Sequence, residues 1–212
     1  MKKNKLELFV KIVFFGGLWG LIEGTLGYAL HLVPALISGT IMFPIVAFIL
    51  YHAYKSTGSR KAILYIGFIA IMIKSTNLLL PMLPAAKTIN PMIAMFLQSL
   101  LVFALIPMLD SKRVLSKVSG LMVISFAWRL GVIAYYVVNY LTTGFLSFRI
   151  TSFDSIFTFV AIEGILSGVL AIILVIGLDQ FRLTKKVDKM KIHPIFSALT
   201  LVLALVFTLI KF

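Results

Sequence analysis

The amino-acid sequence predicts an all-α protein: a polytopic membrane helix bundle of six or seven transmembrane helices with its N-terminus in the cytoplasm. Three observations predict it. First, 61% of the 212 residues are hydrophobic and only 13% are charged, whereas a soluble domain is about half apolar and a quarter charged. Second, the chain holds several unbroken apolar runs of the ~20 residues that a helix needs to cross a bilayer. Barrel strands would be shorter and would alternate apolar with polar residues. Third, the basic residues fall almost entirely in alternate loops, as the positive-inside rule requires.

The elements follow from the runs and their breaks. Helix 1 is expected from Val10 to Leu32, and helix 2 from Ala35 to Tyr54 with a kink at Pro44. Helix 3 spans Ala62 to Leu80 and stops at Pro81. Helix 4 runs from Pro91, a favourable first-turn residue, to Leu109. Helices 5, 6 and 7 are expected at Val118 to Leu141, Phe153 to Leu178 and Pro194 to Ile210. No stretch is left over for a second domain, so residues 1–212 form one transmembrane domain. Lys2, Lys3 and Lys5 precede the first run as in a signal peptide. That run continues through Glu23 without a small-residue cleavage site, which predicts an uncleaved first helix.

With the N-terminus inside, 15 basic residues face the cytoplasm: Lys2, Lys3, Lys5, Lys11, Lys55, Arg60, Lys61, Lys112, Arg113, Lys117, Arg182, Lys185, Lys186, Lys189 and Lys191. Only Lys87, Arg149 and Lys211 fall outside, and Lys74 and Arg129 lie within spans. The net charge of +13 is thus explained by basic loops at a lipid bilayer, and no nucleic-acid partner is expected. The inner loop from Asp179 to His193 is expected to be a solvated linker, with anionic headgroups or a partner as the alternative. The apolar outer stretches Pro81–Pro84 and Thr142–Phe148 suit packing at the interface or folding over the bundle mouth.

The polar residues inside the runs carry the functional signal. Glu23 sits in Trp19-Gly20-Leu21-Ile22-Glu23-Gly24-Thr25-Leu26, and the Glu-Gly-x-Leu pattern recurs at Glu163-Gly164-Ile165-Leu166. A charge at membrane depth costs about 3 kcal/mol even on lenient scales, so such residues face the bundle interior and pair there. At a rise of ~1.5 Å per residue, Glu23, Lys74, Asn77, Gln98, Arg129 and Glu163 all fall between the outer surface and the midplane. The inner halves of the same helices are nearly free of ionisable groups. Two carboxylates and two cations balance if they converge. They predict an outward pocket, a closed ion-pair network, or an ion or proton path; one-sided depth favours the pocket. Trp19, one turn before Glu23, and Trp128, beside Arg129, are candidate aromatic walls, with Tyr135, Tyr136 and Tyr140 toward the outer end of helix 5.

Gly16, Gly20 and Gly24 form a small-residue stripe, assigned to a different face of helix 1 from Glu23, and Gly164 and Gly168 form another on helix 6. Such stripes let helices approach closely, within the bundle or against a membrane partner. Cysteine is absent, His31, His52 and His193 are isolated, and no HExxH, GxSxG or phosphate-binding loop occurs. No metal, cofactor or catalytic residue is therefore expected, and the chain cannot drive itself with ATP.

Gly16, Gly20 and Gly24 on the first helix, with the outer polar set, give a resemblance. The chain resembles the substrate-binding (S) components of energy-coupling-factor transporters. The resemblance implies a six-helix bundle in the cytoplasmic (inner) membrane of a prokaryote that captures a vitamin or its precursor at the outer side. It also implies docking through small residues of helix 1 onto a transmembrane coupling protein with ATPase subunits. Helix 7 and glycines in place of that family's alanines depart from the pattern. The expected function is capture of a small polar or aromatic solute by Glu23, Lys74, Asn77, Gln98, Arg129, Glu163, Trp19 and Trp128. The alternatives are a scaffold or accessory subunit of a membrane complex and, third, an intramembrane enzyme.

Overall fold

The computed structural model describes residues 5–30, 35–81, 83–178 and 191–210. The expectations for Lys2, Lys3, His31, Met82, Arg182, Lys185, Lys186, Lys189, Lys211 and most of the last inner loop lie outside the described residues. Among the described residues the long elements are all helical: α1 (Lys5–Leu30), α2 (Ala35–Thr57), α3 (Arg60–Ser75), α4 (Ala86–Leu109), α5 (Val114–Thr143), α6 (Phe153–Gly177) and α7 (Pro194–Leu209). A 3-10 turn, Thr76–Leu79, extends α3. This extended α3, α4, α5 and α6 are long and apolar enough to cross a membrane; α7 is apolar but shorter.

Helix α1 packs on α2 and α3, α3 on α4, α4 on α5, α5 on α6, and α6 returns to α2. Six helices thus close a ring, and α7 lies outside it against α1. Ser197 donates to the Val10 carbonyl at one end of this last contact (2.8 Å). Thr208 faces Gly24 at the other, so α7 runs parallel to α1.

The distribution of polarity is the reverse of a soluble protein's. Phe68 and Met72 of α3, Phe96 of α4, Leu130 and Val138 of α5, Ile165 and Leu166 of α6, and Phe196 and Phe207 of α7 are all exposed. Lys11, Glu23, Lys74, Gln98, Arg129, Arg149 and Glu163 are buried. Such continuous apolar exposure has its physical counterpart in lipid rather than water. The interior between the two ends is apolar, built around Phe15, Phe43, Leu50, Ile66, Val102, Ile106, Leu121 and Ile124.

One end of the bundle is tied by basic side chains. Lys11 pairs with Glu7 (2.8 Å) and donates to the Ser56 carbonyl (3.1 Å). Arg60 donates to the carbonyls of Phe103 (2.6 Å) and Ala104 (3.2 Å), which fixes the α2–α3 turn against α4. Lys55 and Tyr54 both reach Asp110 (2.7 and 3.1 Å), an exposed contact worth about 0–1 kcal/mol.

Three expectations are corrected. Helix 4 begins at Ala86 rather than at Pro91, which lies inside it. Proline there removes the N–H that would bond to the carbonyl four residues earlier. Helix 6 is interrupted by two π-helical segments, Thr158–Ile162 and Ile173–Gly177. The glycine stripe of helix 1 is not wholly a separate face from Glu23: Gly16 and Gly20 share its α3 side, and only Gly24 turns to α7. At 100° per residue Glu23 falls close to Gly16 in projection, and both turn toward α3, where Glu23 meets Lys74.

The glycines mark close helix approaches within the chain. A Cβ on Gly16 would stand 2.8 Å from Ile69 Cβ, and one on Gly20 2.6 Å from Ile73 Cδ1, both on α3. Gly24 faces Thr208 of α7, while Gly164 and Gly168 face Phe126 and Met122 of α5. Gly17, which the stripe did not include, is the most constrained of the α1 set. A Cβ there would stand 2.9 Å from the backbone nitrogen of Leu201. Backbone cannot step aside as the tip of Ile73 can. Gly17→Val is therefore expected to lower stability by about 1–3 kcal/mol through overpacking, clearly more than Gly20→Ala. Thermal unfolding of both variants in detergent checks the order.

Candidate functional site

A cavity of about 490 Å³ opens between α1, α2, α4, α5 and the start of α6, at the end of the bundle opposite the basic ties. That volume is within the ~300–1,000 Å³ usual for small-molecule sites. Glu23 and Gly27 of α1 border it, with Met42 and Val46 of α2 and Ala94, Met95 and Gln98 of α4. Trp128, Val132 and Tyr136 of α5 and Phe159 of α6 make an aromatic wall. Lys87 and Asn90 enter from the first turns of α4.

The remaining border comes from the loop between α5 and α6. Gly144 ends α5 with φ of +73°, a left-handed conformation suited to glycine, and turns the chain back. Phe145, Ser147, Phe148 and Arg149 then lie along the cavity. Ser147 Oγ accepts from the Arg149 amide, and Ser152 Oγ accepts from the Ser155 amide to start α6. Of the two outer stretches considered for the bundle mouth, this one borders the cavity, whereas Pro81, Leu83 and Pro84, the described residues of the other, do not.

Two buried ion pairs frame the site. Lys74 Nζ donates to Glu23 Oε1 at 2.9 Å, joining α3 to α1. Arg149 Nη1 donates to Glu163 Oε1, joining the loop to α6. The Arg149 guanidinium also lies 4.5 Å from the centre of the Phe159 ring and 5.0 Å from that of Phe148. Glu163 directly follows the first π-helical segment. Such segments re-aim side chains locally and are frequent at functional sites.

Arg129 stands behind the aromatic wall and is fully buried. Its Nη1 donates to the Ser125 carbonyl (2.9 Å) and hydroxyl (3.2 Å), and its Nη2 to the Gly39 carbonyl (3.5 Å). Its guanidinium lies 4.3 Å from the Trp128 ring centre and 5.7 Å from that of Phe159. Ser125 also bonds to Ser167 Oγ and the Gly164 carbonyl, both at 2.7 Å, so this network fastens α5 to α6.

The chain matches no family model, no curated protein and no solved structure. The geometry therefore carries the account of the site. Of the eight residues expected to bind solute, Glu23, Gln98 and Trp128 border the cavity. Lys74 and Glu163 do not border it but hold residues that do, and Arg129 backs its wall. Trp19 is fully buried a turn further from the cavity end, near Gly67 of α3. Asn77 is buried in the 3-10 turn after α3 and does not border the cavity. The anticipated meeting of Glu23, Glu163, Lys74 and Arg129 is resolved into two separate pairs. Arg149, counted in an outer loop, pairs with Glu163, and Arg129 joins neither pair.

Several bordering residues were not among the expected site residues: Met42, Asn90 and Phe159, and Lys87 and Arg149, which were counted only as outer-loop charges. The apolar character of Phe145–Phe148 was the one signal that the segment before Arg149 turns inward. Of the three tyrosines at the end of α5, Tyr136 borders the cavity, Tyr135 donates to Asn90 Oδ1 (3.3 Å) and Tyr140 is exposed. Gln98 is 5% exposed and borders the cavity. The site thus combines a carboxylate, an amide, two cations and a set of rings.

Proposed function

We propose that this chain is a multi-pass membrane protein that captures a small polar or aromatic solute, vitamin-like in size, in the outer half of the bilayer. The observation that carries the reading is the cavity bordered by Glu23, Gln98, Trp128 and Arg149 at the end opposite the basic ties. Rings with a few placed polar groups are the usual composition of a small-molecule site. Basic loops belong on the cytoplasmic side, so the cavity faces outward and α1 starts in the cytoplasm. Six helices cross as the ring. Helix α7, about 24 Å long at 1.5 Å per residue, follows α1 outward and makes a seventh, short crossing.

ATP-driven uptake then requires a partner that hydrolyses ATP, because the sequence contains no phosphate-binding loop. A transmembrane coupling protein with ATPase subunits, in the cytoplasmic membrane of a prokaryote, fits this requirement and the resemblance to S components. Its contact lies away from the α1 glycines, which α3 and α7 cover.

Purified protein is expected to gain thermal stability from at least one member of a vitamin and metabolite panel. Gln98→Leu keeps the volume of that side chain and removes its amide. It is expected to weaken binding about tenfold, the ~1.4 kcal/mol of one well-made hydrogen bond. No stabilising compound, or equal affinity in Gln98→Leu, would count against the reading.

A further inference from the structure

The charges around the cavity do not cancel. Glu23 neutralises Lys74 and Glu163 neutralises Arg149. Arg129 has neither a carboxylate partner nor, at its Nε, any hydrogen bond among the described residues. It shares the field of Glu163 with Arg149, so three cations stand against two carboxylates. Lys87, the one further charge that borders the cavity, is exposed, has no ion pair among the described residues and adds to the positive side.

From this, and resting on the capture reading, we infer that the solute is a carboxylate: a flat aromatic or heteroaromatic acid bearing one negative charge. An unneutralised buried cation is costly. Arg129 lies behind Trp128, Phe159 and Gly39, all three of which border the cavity. An anion placed against that wall supplies the missing charge at the distance of one ring. Lys87 draws the same anion to the mouth, since opposite potential steers a charged ligand inward. The rings of Trp128, Tyr136, Phe148 and Phe159 ask for a flat organic body, which an inorganic anion lacks. Glu23 does not oppose the assignment, because Lys74 already holds its charge.

Matched trios of compounds that differ only in charge test the inference on wild-type protein in neutral-lipid nanodiscs by calorimetry at pH 7. The trios are nicotinate, nicotinamide and 3-picolylamine; indole-3-acetate, indole-3-acetamide and tryptamine; and benzoate, benzamide and benzylamine. In each trio that binds, the acid is expected to bind at least about tenfold more tightly than the amide, and the amine least. Arg129→Gln is expected to erase the preference and Arg129→Lys to retain it. If Arg129→Gln fails to fold, the wild-type ranking still decides. Amides or amines that bind as well as the acids overturn the inference and leave capture standing. No binding by any trio, together with no shift from the broader metabolite panel, overturns both.

Discussion

Glu23→Ala is expected to destabilise the protein by about 3–5 kcal/mol, the cost of breaking a buried ion pair and leaving one charge alone. Lys74 is 2% exposed, and its ammonium has Glu23 Oε1 at 2.9 Å. Without that carboxylate a buried ammonium is left without its partner. Lysine near a helix end can snorkel toward water, but Lys74 is only 2% exposed, which limits that escape. The cavity beside Glu23 admits water, which puts the expected loss toward the lower end of the range. Lys74→Met in the Glu23→Ala background removes the stranded charge and is expected to restore most of the stability. A double-mutant cycle on unfolding in detergent measures the coupling. A loss under about 1 kcal/mol in the single variant would mean that the pair is solvated like a surface salt bridge.

Arg149→Ala carries the second large effect, at about 3 kcal/mol by the same reasoning. Glu163 is 2% exposed, and its Oε2 has no hydrogen-bond partner in the described structure. Removing Arg149 therefore leaves a carboxylate with only Arg129 in reach, and Arg129 is committed to Ser125 and Gly39. The same change frees the loop over the cavity, because Arg149 is its inward anchor on Glu163, Phe148 and Phe159. Amide exchange is expected to rise over 144–152 and to stay unchanged in α3. Arg149→Lys is expected to fall between the two, since an ammonium keeps the charge but cannot lie flat on two rings. Unchanged exchange in Arg149→Ala would show that the apolar side chains alone hold the loop.

The bundle was legible in the sequence because lipid imposes a simple rule. Each span needs an apolar run; among the described residues the seven runs are helical with ends shifted by a few residues, and four of the helices are long and apolar enough to cross a membrane. The burial of Glu23, Gln98 and Glu163 was legible for the same reason: carboxylates and amides are conspicuous in apolar runs, where they are costly unless they turn inward. The sequence set two carboxylates against two cations without saying which would pair; the contact of Glu23 with Lys74 is a finding of the structure.

Arg149 was not legible, because hydropathy assigns an arginine outside a run to water. Its burial depends on Gly144 turning the chain back and on rings contributed by Phe148 and Phe159, a tertiary arrangement without a periodic signature. The register of α6 was hidden because a π-helical segment adds a residue to a turn and defeats projection at 100° per residue. The start of α4 was hidden because Pro91 looks like a first-turn signal, while Lys87, Thr88 and Asn90 before it look like loop. Those residues instead form the first turns of the helix and bring Lys87 and Asn90 to the cavity.

The most direct test of solute capture is to denature the protein, purified from its native membranes, and identify what small molecule it releases by mass spectrometry. The comparison is with Ala94→Trp, which places an indole in the cavity that Ala94 borders. The account predicts one organic compound in near-stoichiometric amount from the wild type and little or none from the filled variant. No such compound from the wild type, or an equal amount from both proteins, would contradict it.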